Sequence, residues 1–203
     1  MRLIAENLAG ERGGEPVFSG VSFALADGDG LVVTGPNGSG KSTLLRIIAG
    51  LLPSATGTIR LEDPDSPEAP EVASACHYLG HGNAMKTALS VEENLVFWQE
   101  FAGEQHLSVA EALDMIGLPQ VASLPYGYLS TGQKRRVSIA KLLVSYRPIW
   151  LLDEPTAGLD RASEAQFAAL VRAHLEDGGL AIAATHLPLG VDGLRELRMG
   201  ETA

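Results

Sequence analysis

A single cysteine, Cys76, stands in the 203-residue chain, so an internal disulfide is excluded and the sequence suits a reducing cytoplasm. Basic residues are also few: 15 Lys and Arg against 25 Asp and Glu leave a net charge of −10, which argues against nucleic acid as the main partner. The one short basic run, Lys134-Arg135-Arg136, reads as the solvated face of a helix. No apolar run approaches the ~20 residues needed to span a bilayer. The N-terminal MRLIAENLAG lacks the apolar core of a signal peptide, so membrane association is expected only through a partner. There is no internal repeat, and the acidic, Pro-rich EDPDSPEAPE of Glu62 to Glu71 reads as a solvated loop. The length and the 45% hydrophobic content fit one acidic globular domain with a sizeable core.

Three stretches carry phosphate chemistry. GPNGSGKST, comprising Gly35, Pro36, Asn37, Gly38, Ser39, Gly40, Lys41, Ser42 and Thr43, fits G-x-x-x-x-G-K-[ST] between a strand-like run, Leu31 to Val33, and a helix-periodic one through Leu51. Such a loop wraps a β-phosphate with its backbone N–H groups, Lys41 neutralises β/γ oxygens, and the Ser42 hydroxyl is placed to ligate Mg²⁺. IWLLDEP, from Ile149 to Pro155, reads as a buried strand ending in Asp153, suited to a Mg²⁺-bound water, and Glu154, suited to polarising an attacking water. Between them lies LSTGQ, from Leu129 to Gln133, in which Ser130 and Gln133 make an S-x-x-Q capping box and start a helix at Thr131.

The first segment carries strand-like runs at Leu3 to Ile4, Val17 to Leu25 and Thr58 to Leu61 between Gly-rich turns, which suggests a small antiparallel sheet. From Ser90, which caps a helix with Glu93, the pattern turns helical, with a further capping box at Ser108 and Glu111. On the helix after Ser90, Val91, Leu95 and Trp98 form an apolar stripe. Phe97 and Phe101, at i and i+4, either join that core or form a socket for a partner's helix.

With the phosphate loop before it and the Asp-Glu strand after it, LSTGQ resembles the LSGGQ signature of the ATP-binding cassette family, with Thr131 replacing a glycine. Ala157-Gly158-Leu159-Asp160 resembles that family's D-loop, although Asp160 equally suits a helix N-cap, and His186 resembles its switch histidine. HYLGHGNAMKTALSVEENLVFW, from His77 to Trp98, and the stretch from Leu129 to Asp160 are similar to the ATP-binding subunit of cytochrome c maturation, the heme-exporter family. The resemblance covers nearly the whole chain. It implies a single α/β domain over 1–203, a P-loop nucleotide-binding fold with a central, mainly parallel sheet, an N-terminal antiparallel β subdomain and a helical subdomain. Core residues are placed at about 1–80 and 147–203, and the helical part at about 90–146.

The same resemblance implies ATP and Mg²⁺ as cofactors and catalytic roles for Glu154 and His186. Ser130, Thr131, Gly132 and Gln133 would act in trans on a nucleotide held by a second subunit, most simply a copy of this chain. It further implies membrane subunits as partners and a peripheral place on the cytoplasmic face of the inner membrane, where hydrolysis drives heme delivery or release of a heme chaperone. Nothing in the composition shows heme, and no C-x-x-C-H motif is present.

Two departures stand out. Where the family stacks an aromatic on adenine, this chain has Glu11, Arg12, Gly13 and Gly14; Arg12 either stacks its guanidinium there or is an ordinary turn residue. The family's Mg²⁺-sensing Gln is replaced by His81, or by Gly82 in the heme-exporter pattern. An ATP-binding subunit for another cargo, a soluble cassette ATPase and a regulatory module without turnover are the competing readings.

Overall fold

The computed structural model describes residues 1–63 and 70–200; most of the Glu62 to Glu71 stretch lies outside them. Three long strands come first in space: β1 (Arg2–Arg12), β2 (Glu15–Ala26) and β4 (Thr56–Glu62) make an antiparallel sheet in the order β2-β1-β4. The remaining strands are β3 (Gly30–Thr34), β5 (Cys76–Leu79), β6 (Ile149–Asp153), β7 (Leu180–Ala184) and β8 (Arg195–Arg198). They form a parallel sheet in the order β5-β6-β7-β3-β8. The expected α/β class and both sheets are therefore present. All five residues of β6 and all five of β7 are buried, as strands covered on both faces must be, and their apolar runs carry no alternation for that reason.

Helices cover this sheet from two sides. On one, α1 (Lys41–Ile48) packs with β1, β2 and β4 around Leu3, Leu25, Leu44, Leu45 and Ile48. On the other lie α2 (Val91–Ala102), α3 (Val109–Met115), α4 (Thr131–Val144) and α5 (Arg161–Glu176), around Leu95, Leu113, Leu142 and Phe167. The starts of α2, α3 and α4 are the three capping boxes read from the sequence: Ser90 with Glu93, Ser108 with Glu111, and Ser130 with Gln133. Each reciprocal pair satisfies two N–H groups that the helix cannot, a gain of about 1 kcal/mol.

The aromatic question is resolved by exposure. Leu95 is fully buried, but Phe97 is 46% and Phe101 72% exposed, so these two do not belong to the core. They stack on each other with centroids 5.9 Å apart, each edge-on to Trp98. The reason is register: Val91 and Leu95 already fill the inward face of α2, and positions 97 and 101 are turned off it.

The basic run of α4 departs from the sequence reading more sharply. Arg135 is buried at 5% exposure, Lys134 donates to the Gly127 carbonyl and Arg136 to that of Ile116. Arg135 is spaced i, i+4, i+7 with Ile139 and Leu142, both buried, so it faces inward with them. No helix among the described residues is long and apolar enough to cross a membrane.

Two histidines lie inside this framework. His77 Nε2 is 2.8 Å from the Ser145 carbonyl, and since that oxygen can only accept, Nε2 carries the proton. His174 stacks on Trp150 at 4.0 Å between centroids. Burial pushes each of them down, from 6.5 to about 4. Between these values the unfolded chain binds protons that the folded chain refuses, so stability is lost as pH falls from 6.5 toward 4. The thermal midpoint should drop through that window, and His77→Gln should flatten the drop; a differential scanning titration measures both slopes.

Candidate functional site

Sheet order decides where chemistry gathers. Strands β6, β7 and β3 are neighbours, and in a parallel sheet their carboxyl ends lie on one edge, about 5 Å apart. From those ends emerge Asp153 and Glu154, then Thr185 and His186, then the glycine loop leading into α1. Residues more than a hundred positions apart in sequence therefore line one cleft of about 300 Å³: Arg12, Asn37, Gly38, Gly40, Lys41, Ser42, Thr43, Asp153, Glu154 and His186, with Val17.

Two glycines of the loop, Gly35 and Gly40, leave no room for a Cβ. Gly35 has φ 138, and a Cβ there would lie 2.3 Å from the Met199 carbonyl oxygen. Gly40, with φ 93, would press a Cβ within 2.8 Å of Val17 and Phe18. Gly40 is also the N-cap of α1 and offers no side chain to its N–H groups, which leaves them for an anion. Lys41, buried at 8% exposure, donates to the carbonyls of Gly35 at 2.8 Å and Pro36 at 3.0 Å, so its ammonium arches back over the loop. Ser39 Oγ is buried in the same loop without a hydrogen-bond partner.

The carboxylates are held as a pair with different surroundings. Asp153 is 4% exposed and accepts from Ser42 Oγ at 2.9 Å. Glu154 has φ 46, a left-handed backbone that costs a bulky residue about 1–3 kcal/mol, and its side chain stays one-third exposed. His186 Nε2 lies 3.0 Å from Asn37 Oδ1 and 3.8 Å from Glu154 Oε1. A hydroxyl and a carboxylate are hard oxygen donors that suit Mg²⁺, and the ammonium and free N–H groups beside them suit a polyphosphate. The residues present thus fit a Mg²⁺–nucleotide pair, with Ser42 and Asp153 toward the metal.

Other sequence candidates stand apart from this cleft. Ser130 Oγ accepts from Gln133 N at 3.2 Å and Gln133 Oε1 from Ser130 N at 2.9 Å, so both serve the cap of α4. Thr131 and Gly132 rest against Gly158. None of the four lines the cleft. Asp160 is the N-cap of α5, where its Oδ1 accepts from Ser163 N at 2.8 Å, and that bond lowers its pKa. His81 follows β5, is exposed, and lies outside the cleft lining.

Arg135 is placed by the structure where the sequence reading does not put it. The Arg135 guanidinium reaches four carbonyl oxygens: Nε to Pro155 at 2.9 Å, Nη1 to Gly80 at 2.8 Å, and Nη2 to Asp153 at 3.2 Å and Glu154 at 2.7 Å. The available signal was its helical phase with Ile139 and Leu142.

Similarity to known proteins agrees with this geometry. The sequence profile of the ABC transporter family matches residues 18–157. The chain is 70% identical over 200 residues, covering 98% of each protein, to the cytochrome c biogenesis ATP-binding export protein CcmA of Mesorhizobium japonicum, strain LMG 29417. It is 68% identical, with the same coverage, to the protein of that name from Chelativorans sp., strain BNC1. A bacterial ABC transporter cassette solved as a dimer superposes with a TM-score of 0.80 at 25% identity, over 97% of this chain and 94% of its own.

Arg135→Lys keeps the charge but replaces a planar fork with a point donor, which leaves some of the four carbonyls unmet. It should cost about 1–3 kcal/mol of stability, measured by urea denaturation, and should lower turnover even at temperatures where the protein remains folded.

Proposed function

We propose that this chain, which belongs to the ABC transporter family and within it to the cytochrome c biogenesis ATP-binding export proteins, is the ATP-hydrolysing subunit of a membrane complex that drives heme delivery or releases a heme chaperone. The observation that carries the ATPase part is the single cleft holding Lys41, Ser42, Asp153, Glu154 and His186. The heme part rests on the names of the full-length relatives.

Each residue then has a task. The N–H groups of the glycine loop and α1 bind the phosphates, and Lys41 turns its ammonium from its own loop carbonyls to the β/γ oxygens. Ser42 directly and Asp153 through water would hold Mg²⁺, which when bound would neutralise charge on the transferred phosphoryl group. Glu154 polarises the attacking water, and His186 donates to the γ-phosphate from its seat between Asn37 and Glu154. Arg12, at the rim of the cleft, packs its guanidinium on the adenine.

A second copy supplies Ser130 to Gln133, since these lie off the chain's own cleft, and Asp160 from the adjoining turn. Bound ATP is then the bridge between copies, and hydrolysis releases them. The membrane partner docks in the groove of about 560 Å³ beside α2, lined by Leu51, Tyr78, Trp98, Phe101, Lys141 and Arg147. The protein is accordingly peripheral on the cytoplasmic face of the inner membrane.

Glu154→Gln should retain ATP binding, halt hydrolysis and accumulate an ATP-dependent dimer, whereas Lys41→Ala should lose nucleotide binding; sedimentation with ATP checks both. Persistent monomers of Glu154→Gln, alone and within the membrane complex, would sink the two-copy arrangement. Phe97→Ser with Phe101→Ser should leave the melting midpoint within a few degrees, because both rings are exposed, yet lower recovery of the chain in the membrane fraction. His81 stands outside the cleft lining; if it nevertheless serves at the Mg²⁺-sensing position, His81→Ala should leave ATP affinity nearly unchanged but cut turnover by at least about tenfold, ~1.4 kcal/mol of transition-state stabilisation. Wild-type turnover in that variant, at saturating ATP in the reconstituted complex, would remove His81 from the mechanism.

A further inference from the structure

Asp153 has both carboxylate oxygens engaged. Oδ1 accepts from Ser42 Oγ at 2.9 Å and Oδ2 from the Tyr78 hydroxyl at 3.1 Å. The direction of the second bond is fixed by a third residue. Arg46 Nε, on α1, lies 3.3 Å from the same phenol oxygen, and a guanidinium has only protons to give. The phenol oxygen therefore accepts from Arg46, and its own proton is left for Asp153, which as a carboxylate can only accept. Burial, the largest effect, raises the Tyr78 pKa above its usual value, which keeps that proton in place.

The ring has one place to lie. Tyr78 sits on β5 opposite Leu151 of β6, and Lys141 Nζ donates to its carbonyl at 3.1 Å. Its edge passes so close to Gly80 that a Cβ there would meet Cε1 at 2.8 Å. The hydroxyl thus reaches the cleft from outside, for Tyr78 lines the neighbouring groove and is not among the residues lining the cleft.

We propose that Tyr78 is a positioning residue for the cation site: it holds Oδ2 of Asp153 and so fixes the carboxylate orientation presented to Mg²⁺, with Arg46 orienting the phenol. The proposal rests on the assignment of Asp153 to the metal. Outer hydrogen bonds of this kind fix ligand orientation, and their loss weakens metal binding by about tenfold or more.

The experiment uses the purified full chain with ATP and Mn²⁺ as the spectroscopic probe, free Mn²⁺ being followed by electron paramagnetic resonance. Tyr78→Phe keeps the ring and deletes one oxygen. It should weaken Mn²⁺ about tenfold, with unchanged ATP affinity in EDTA and an unchanged melting midpoint. Arg46→Met should cause a smaller loss, and no further loss on top of Tyr78→Phe, because it acts only through the phenol. Wild-type Mn²⁺ affinity in Tyr78→Phe, while Asp153→Asn loses it, overturns the proposal alone. Wild-type Mn²⁺ affinity in Asp153→Asn overturns the metal assignment on which it stands.

Discussion

One buried guanidinium holds together the parts that carry the chemistry. Arg135 projects from α4 toward the carboxyl ends of β5 and β6 and meets the carbonyls of Gly80, Asp153, Glu154 and Pro155. Those oxygens lie at or beyond the last ladder bonds of their strands, in a place nearly closed to water, where each unmet acceptor costs about 1–3 kcal/mol. Desolvation lowers the Arg135 pKa, opposed by attraction from Asp153, Tyr126 and Glu154. A planar fork with donors on several sides is what such a divergent set of carbonyls requires, and lysine cannot supply it. Because the same helix begins at Ser130, the clamp also fixes the LSTGQ turn relative to the Asp-Glu strand end.

The clamp makes the backbone of Glu154 tenable. A glutamate at φ 46 is strained by about 1–3 kcal/mol, and it persists because both its peptide groups are committed: its N–H to Ala184 O at 2.8 Å, its carbonyl to Arg135. Charged hydrogen bonds of this kind contribute about 1.5–3 kcal/mol each, enough to offset the strain. The reward is directional. Asp153, with ordinary strand geometry, stays buried beside Ser42, while the turn after it swings the Glu154 side chain out to the cleft and toward His186.

Local signals were legible and long-range ones were not. Caps, the glycine loop, the apolar runs of the first strands and the Asp-Glu strand each depend on neighbours within a few residues, and the sequence displays those directly. Arg135 hid in a basic run because charge composition says solvent while helical phase says core, and here phase prevailed, since four carbonyls were waiting for it. Tyr78 gave no signal at all: its partners, Arg46 and Asp153, lie 32 and 75 residues away, and only the pairing of β5 with β6 and the packing of α1 on that sheet bring them together. Phe97 and Phe101 were ambiguous because i, i+4 spacing describes a stripe without saying which stripe the core has already filled.

The departure from LSGGQ at Thr131 follows the same logic of space. Its position is the first of α4, helical in backbone, so nothing there demands a glycine. Its methyl carbon lies 3.8 Å from where a Cβ on Gly158 would be, ordinary contact with room to spare. The next residue has no such freedom: a Cβ on Gly132 would come within 3.3 Å of the Gly158 carbonyl, and glycine is kept. The capping box meanwhile engages the N–H groups of Ser130 and Gln133, and leaves those of Thr131 and Gly132 as the free donors of the first turn. A threonine at this end of the helix therefore leaves the backbone donors of the first turn where they are.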